Sequence, residues 1–415
     1  MAARRMAAVD AQFYWMTAKV PNDDFMVYAF AGEPADLERA MEQVCRRARA
    51  CPDLALRVSD PGALRYPRWV PAAVGPDWVV HSPLADRSWN GFLQAVVRLA
   101  DDQLDMRRMS WRVHVFTPVF DIPGIQGPGS VAVMQVPHAL ADGGRSAALA
   151  AWLFGRAVPV PEVQQPPRGF LPWRAVDAAR THRRLVRDTR AGLLAPGLGY
   201  RPPLSTNARP VGARAVRTLV RHRSQLSGPT VTVAVLAAVS TALSGLLGDA
   251  ADSLAAEVPM AKPGVPPANN HFGNVVVGLY PRLDRDERQH RIASDLANGR
   301  RRFAHPAVSA TDRAFATMPA ALLRWGVSLF DPDVRPAQVL GNTVVSSNNR
   351  GPADLHFGGV PVVLTATYPA LSSAMALTHG VHGIGETIAI SVHAAESAFP
   401  DADIDAYLAR LDAAL

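Results

Sequence analysis

Residues 156–214 divide this chain in two, and that division limits what it can fold into more than any other feature. Val158 to Pro172 contains five prolines, each fixing φ and removing a backbone donor, so the segment reads as an extended connection. Pro196 to Pro210 is again broken by proline and glycine. Between them, Trp173 to Leu194 keeps the pattern of a basic amphipathic helix. The 415 residues are too many for one ordinary core. The expected organisation is an N-terminal domain over 1–155, a crossover linker and helix over 156–214, and a C-terminal domain over 215–415.

Both flanking segments mix helix and strand patterns. In the first, Leu37 to Ala50 has apolar residues at helical spacing and follows Asp36, a good N-cap. Ser130 to Val136 reads as a buried strand, and Gly143 to Phe154 as an alanine-rich helix stopped by Gly155. In the second, Val231 to Leu247 predicts a buried helix and Asp403 to Leu415 a closing one. Strands are expected at Asn274 to Leu279, Val339 to Ser347, Val360 to Thr365 and Glu386 to His393. Strict βα alternation is missing, so the fold class is α/β of the α+β sandwich kind, two layered domains facing each other.

Composition narrows the function classes. Apolar residues make up 48% and charged residues 19%, which is globular. The net charge of +7 comes almost wholly from arginine, since Lys19 and Lys262 are the only lysines. Zinc-finger spacing, RNA-binding aromatic motifs and long basic blocks are lacking, so nucleic acid is not an expected partner. Phosphorylated carriers such as CoA, or anionic membrane surfaces, suit the charge better. Cys45 and Cys51 form no disulfide framework and read as packing or surface residues. The N-terminus lacks a signal-peptide h-region, and Val231 to Leu247 is too polar and slightly short for a membrane span. A cytoplasmic protein is expected. The helix from Trp173 to Leu194 offers a peripheral membrane face, a solvated crossover helix being the plainer reading.

The chemistry concentrates in Val136-Pro137-His138-Ala139-Leu140-Ala141-Asp142-Gly143-Gly144. A buried strand delivers a histidine into a short loop, and an aspartate and two glycines open the next helix. A neutral imidazole in such a loop can act as general base. The plainer reading makes Asp142 an N-cap, Gly143 and Gly144 turn relief, and His138 a satisfied buried histidine.

This segment resembles the His-His-x-x-x-Asp-Gly motif of condensation-type and CoA-dependent acyltransferases. His138 matches the second histidine, Asp142 the aspartate and Gly143 the glycine. Further stretches resemble the bacterial wax ester synthase/diacylglycerol acyltransferase family in the chloramphenicol-acetyltransferase-like superfamily. Asp10-Ala-Gln-Phe13 is similar to that family's Asp-Ala-x-Phe. Leu104-Asp-Met-Arg-Arg-Met-Ser-Trp111 is similar to its Leu-Asp-x-x-x-Pro-Leu-Trp, with Met109 and Ser110 in place of Pro-Leu. Val235 to Leu243 resembles its alanine-rich helix, and Val258-Pro-Met260 and Phe272-Gly-Asn274 its Val-Pro-Val and Leu-Gly-Asn elements. Val345-Ser-Ser-Asn-Asn-Arg-Gly-Pro352 resembles its Ser-Asn-Val-Pro-Gly-Pro loop, and Tyr368-Pro369 and Pro400-Asp401 close the series. Three departures stand out. Pro137 replaces the first motif histidine, Thr232-Val233 replaces an Asn-Asp pair, and Arg350 stands where the loop usually has proline.

The resemblance implies two similar domains around a channel, with His138 taking the proton from an acceptor hydroxyl that attacks an acyl thioester. It gives Asp142 a structural role, pairing with an arginine. Oxyanion donors are expected among the backbone N–H groups near Gly143 and Gly144, or from Asn274, with Ser347 and Asn348 on the channel wall. Ser346, Ser347 and Asn348 read equally well as a polar turn after a strand. Acyl-CoA is implied as co-substrate, with no cofactor and no metal, and diacylglycerol or a long-chain alcohol as acceptor. A natural-product acyltransferase using a carrier-protein thioester is the alternative. A catalytically silent lipid- or carrier-binding relative is a third reading, which retention of His138 and Asp142 disfavours. Trp111 reads as core. Thr378-His379-Gly-Val-His382-Gly invites a metal reading, with His393 further on, but Gly380 and Gly383 favour a loop or turn.

Overall fold

A computed structural model describes residues 3–165, 169–399 and 403–415, so Pro400-Asp401 lie outside the described residues. Two six-stranded sheets and a three-stranded one form the framework. The first sheet runs, in spatial order, His356–Phe357, Val360–Thr367, Asp23–Phe30, Gly129–Pro137, Arg112–Val119 and Val79–His81. The second runs Phe272–Gly278, Ala255–Ala261, Thr343–Asn349, Leu377–Ile384, Thr387–Ala395 and Arg214–His222.

Strand periodicity explains how the first sheet is covered on both faces. Met26, Tyr28 and Phe30 pack into one core, whereas Phe25, Val27 and Ala29 pack into another, as alternate residues of a strand must. The partner strand divides the same way, Ala132, Met134 and Val136 against Val131 and Val133. The first core is closed by the helices Ala8–Met16, Leu37–Ala50 and Gly143–Leu153. Cys45 and Cys51 are buried there as free thiols. Trp111 is fully buried and donates its indole N–H to Leu54 O at 2.8 Å. The other core reaches Val216 and Ala389 of the second sheet.

The second sheet packs on Val231–Leu247, Arg285–Phe303 and Ile404–Ala414. Val231–Leu247 is apolar nearly all round and buries ten residues from Val233 to Leu243, as such a composition requires. The helix between the two punctuated stretches spans Leu171–Arg190, buries no residue, and leaves Trp173 74% exposed. Among the described residues no helix is long and apolar enough to cross a membrane.

One connection positions the site. After Thr343–Asn349 the chain leaves the second sheet, adds Val360–Thr367 to Asp23–Phe30 of the first, and returns as Leu377–Ile384. Val360 to Thr365 is thus a strand as expected, but one of the first sheet.

The sequence expectation for Thr378 to Gly383 needs correction. These residues are not a loop or turn but part of Leu377–Ile384, a strand with neighbours on both sides. Close approach explains the glycine at 380. A Cβ there would lie 2.2 Å from Thr367 O and 2.5 Å from Ser391 Oγ. His379 is fully buried, its Nε2 2.6 Å from the Tyr407 hydroxyl and its Nδ1 3.0 Å from Thr343 Oγ1. Burial pushes it, and likewise His393, down to about 4, so both are neutral core side chains near pH 7. Gly380→Ala should destabilise the protein by about 3 kcal/mol, because the backbone oxygen cannot step aside. An unchanged unfolding midpoint would show that the strands have room to part.

Candidate functional site

His138 follows directly on Gly129–Pro137, and its N–H donates to Asn22 O at 3.1 Å. Pro137 fits at this strand end, where its carbonyl accepts from Leu140 N at 2.8 Å to close the turn. Segment 269–271, from far along the chain, runs beside the loop as a strap. Asp142 N donates to Asn269 O, Asn269 Nδ2 to Ala139 O, and Asn270 Nδ2 to His138 O at 2.7 Å.

Asn270 determines the state of the imidazole. Its Nδ2 donates both to His138 O and to Asp10 Oδ1, the latter at 2.9 Å. A carbonyl and a carboxylate only accept, so the amide cannot be turned over. Its Oδ1 therefore faces His138 Nδ1, 3.0 Å away, and that nitrogen carries the proton. In the neutral ring Nε2 then keeps its lone pair, and among the described residues it has no hydrogen-bond partner. The ring also stacks on Phe13, with centroids 4.4 Å apart and planes 8° from parallel, and lies 5.6 Å from Phe272.

Asp10 and Phe13 lie three residues apart on the helix Ala8–Met16, hence on one face. One turn thus serves both the strap and the ring. Asp10 accepts from Asn269 N and Asn270 N at 3.0 Å each. Burial pushes its carboxyl up to about 6, against the pull of these hydrogen bonds.

Asp142 caps the helix Gly143–Leu153, its Oδ1 accepting from Arg145 N at 2.9 Å, while Oδ2 accepts from His271 N at 2.9 Å. The expected arginine pairing is not what holds it. The nearest arginine in sequence, Arg145, turns its guanidinium to Asp53 Oδ2 at 3.0 Å, and among the described residues Asp142 forms no ion pair. Asparagine can accept one of the two backbone N–H groups but presents NH2 to the other. Asp142→Asn should therefore cost about 1–3 kcal/mol and lower turnover as the strap loosens. Thermal unfolding and initial rates check this, and a stable, fully active variant would leave only the cap.

His138, Asp142, Gly143, Gly144, Asn274, Ser347 and Asn348 all line one cavity of about 470 Å³. Gly143 and Gly144 open an 11-residue helix, where the first N–H groups lack helical acceptors and the dipole favours negative charge. Asn348 Nδ2 donates to Gly143 O at 2.9 Å, joining the second sheet to the loop. Ser347 Oγ lies 2.8 Å from Thr232 Oγ1, so the Thr232-Val233 departure lies against the cavity wall. Asn274 is exposed and donates to Glu257 Oε2 at 2.9 Å.

Phe272 is shared with a second cavity of about 340 Å³, whose wall also includes Phe13 and Asn270. On another side the main cavity shares Val20, Pro21 and Leu371 with a third, of about 330 Å³. His138 thus stands in a series of cavities, with its aromatic neighbours as the partition.

Sequence reasoning did not single out Asn270, Asp24 or the roles of Asp10 and Phe13. Asp24, Arg350 and His382 also line the main cavity. The signal for Asp10 and Phe13 was their placement in one short motif, whereas Asn270 is 132 residues from His138 and carries no local pattern.

No protein-family model matches the sequence, and no curated protein matches it. Solved structures do match over the whole chain. The wax ester synthase/diacylglycerol acyltransferase from Marinobacter aquaeolei VT8 is 16% identical with a TM-score of 0.61, covering 99% of this chain and 97% of its own. This chain has the fold of that structure. The first condensation domain of the calcium-dependent antibiotic synthetase, in complex with a substrate analogue, gives a TM-score of 0.61 at 14% identity, with 99% and 94% covered. A mutant starter condensation domain of rhizomide synthetase, in complex with C8-CoA and Leu-SNAC, gives 0.58 at 14%, with 99% and 92% covered. All three are alike to this chain in fold.

Proposed function

We propose that this chain is an acyltransferase that moves an acyl group from acyl-CoA to an acceptor hydroxyl, with His138 as general base. The carrying observation is the bond from His138 Nδ1 to Asn270 Oδ1 at 3.0 Å, which leaves Nε2 basic in a residue that lines the cavity. Nε2 takes the hydroxyl proton as the oxygen attacks the thioester carbonyl. The tetrahedral intermediate collapses with cleavage of the C–S bond, and the imidazolium returns the proton to the departing thiolate. Such a base is worth about 10²- to 10⁴-fold. The N–H groups of Gly143 and Gly144, at the positive end of their helix, suit the developing oxyanion. Asp142 acts through the loop it braces.

Likeness to wax ester synthase supports diacylglycerol or a long-chain alcohol as acceptor. The second reading, a natural-product acceptor with a CoA or carrier-protein thioester, draws support from the condensation-domain neighbours. It also draws support from Asp24, Arg350 and His382 in the cavity wall, polar groups that a hydrocarbon acceptor would leave without water. Mass spectrometry of products from a panel of acyl-CoAs and hydroxyl acceptors tests the proposal. Ester formation is expected, and thioester consumption without any acylated product would overturn it.

A further inference from the structure

Arg350 has a place in the main cavity that the base chemistry leaves unexplained. It follows the strand Thr343–Asn349 at the point where the chain crosses from one sheet to the other. Its backbone is fixed, N–H to Gly383 O at 2.8 Å and carbonyl accepting from Arg156 Nη1 at 2.8 Å. The residue is 5% exposed, yet its guanidinium has only weak partners. Nη1 lies 3.0 Å from the Met26 thioether sulfur, Nη2 donates to Thr367 Oγ1 at 2.9 Å, and Nε has none.

Among the described residues Arg350 forms no ion pair. Tyr28, beside it, is fully buried and has its hydroxyl against the Arg350 guanidinium. His382, 2% exposed and on the same cavity wall, has an unpartnered Nδ1. Buried polar groups are ordinarily satisfied, and a desolvated cation without a counter-ion is costly. Arg350 and His382, on the wall of a cavity that also holds the proposed base, form a surface suited to an anion.

The geometry points to an acceptor that carries a carboxylate near its reacting hydroxyl, with Arg350 as the residue that recognises it. This rests on the proposed acyl transfer and narrows its acceptor to a hydroxy acid. A guanidinium matches a planar carboxylate with two parallel N–H donors. Asp24, also on the cavity wall, feels both His138 and Arg350, but burial pushes its carboxyl up and makes it a poor counter-ion for the guanidinium. His382 adds no positive charge near neutral pH, because burial and the neighbouring Arg350 hold it neutral.

Binding can be read apart from catalysis. The full wild-type chain, without an acyl donor, is titrated calorimetrically with 3-hydroxyoctanoate, its methyl ester and 1-octanol. The acid is expected to bind at least about 10²-fold more tightly than the ester, the usual scale for a buried charged contact. Arg350→Gln should remove that preference, and Arg350→Lys, which keeps the charge without the planar fork, should recover part of it. Equal binding of acid and ester by wild type overturns the inference and needs no variant that folds; so does a preference that survives Arg350→Gln. Acyl transfer to the same acceptors from octanoyl-CoA is measured separately. A chain that prefers the acid but transfers nothing sinks the acyltransferase reading while the anion site stands.

Discussion

His138→Ala should lower acyl transfer by about 10³- to 10⁴-fold, the upper range for loss of a general base, with the fold intact. Pro137 offers no second imidazole, and the other ionisable side chains on the cavity wall are poor substitutes. Asp24 is pushed up by burial, with His138 and Arg350 pulling it down, and a carboxylate is the weaker base for a hydroxyl. His382 has its own pKa held well below the usual imidazole range by burial. The His138 ring stacks on Phe13 and Phe272 and, among the described residues, makes one side-chain hydrogen bond, to Asn270. Alanine should therefore cost little stability. Near-wild-type initial rates in a folded variant would remove His138 from the chemistry.

Asn270→Ala carries the second large effect, about 10²- to 10³-fold in kcat. The amide holds the ring through Nδ1 and clamps the loop through His138 O, with Asp10 fixing the amide in turn. Without Oδ1, no group among the described residues holds the proton on Nδ1, and the ring can present an N–H to the acceptor instead of a lone pair. A misplaced or wrongly protonated base loses rate by such factors in other enzymes. The loss should fall on kcat, with KM for acyl-CoA nearly kept. A variant that raises KM with kcat unchanged would show that Asn270 shapes the cavity and does not position the base.

Several parts of this arrangement were legible in the sequence for local reasons. Gly129 to Leu153 combines a buried strand, a short loop, an aspartate cap and an alanine-rich helix, and every signal lies within a few residues of its effect. Leu37–Ala50 begins and ends where its cap and periodicity place it. The residues expected on the channel wall do meet in one cavity. What escaped was long-range. Gly380 reads as a turn former when its neighbours in space are unknown, but it is small because Thr367 O occupies the place of its side chain. Val360–Thr367 has an unmistakable strand composition that does not say which sheet receives it. The arginine expected beside Asp142 gave way to the backbone of His271, a partner without any side-chain signature. Asn270, among the prolines and glycines after Met260, reads as a turn residue until Asp10 and His138 appear on either side of it.

The account rests on one proton, the one that Asn270 places on His138 Nδ1. Nitrogen-15 resonances of the His138 imidazole, assigned by their loss in His138→Ala, report it directly at a pH where the ring is neutral. The expected result is a protonated Nδ1 coupled to its hydrogen and a bare Nε2, with the pattern lost or reversed in Asn270→Ala. A neutral ring that carries its proton on Nε2 in the wild-type protein would contradict the account, because the nitrogen left to act as base would then be the one turned toward Asn270.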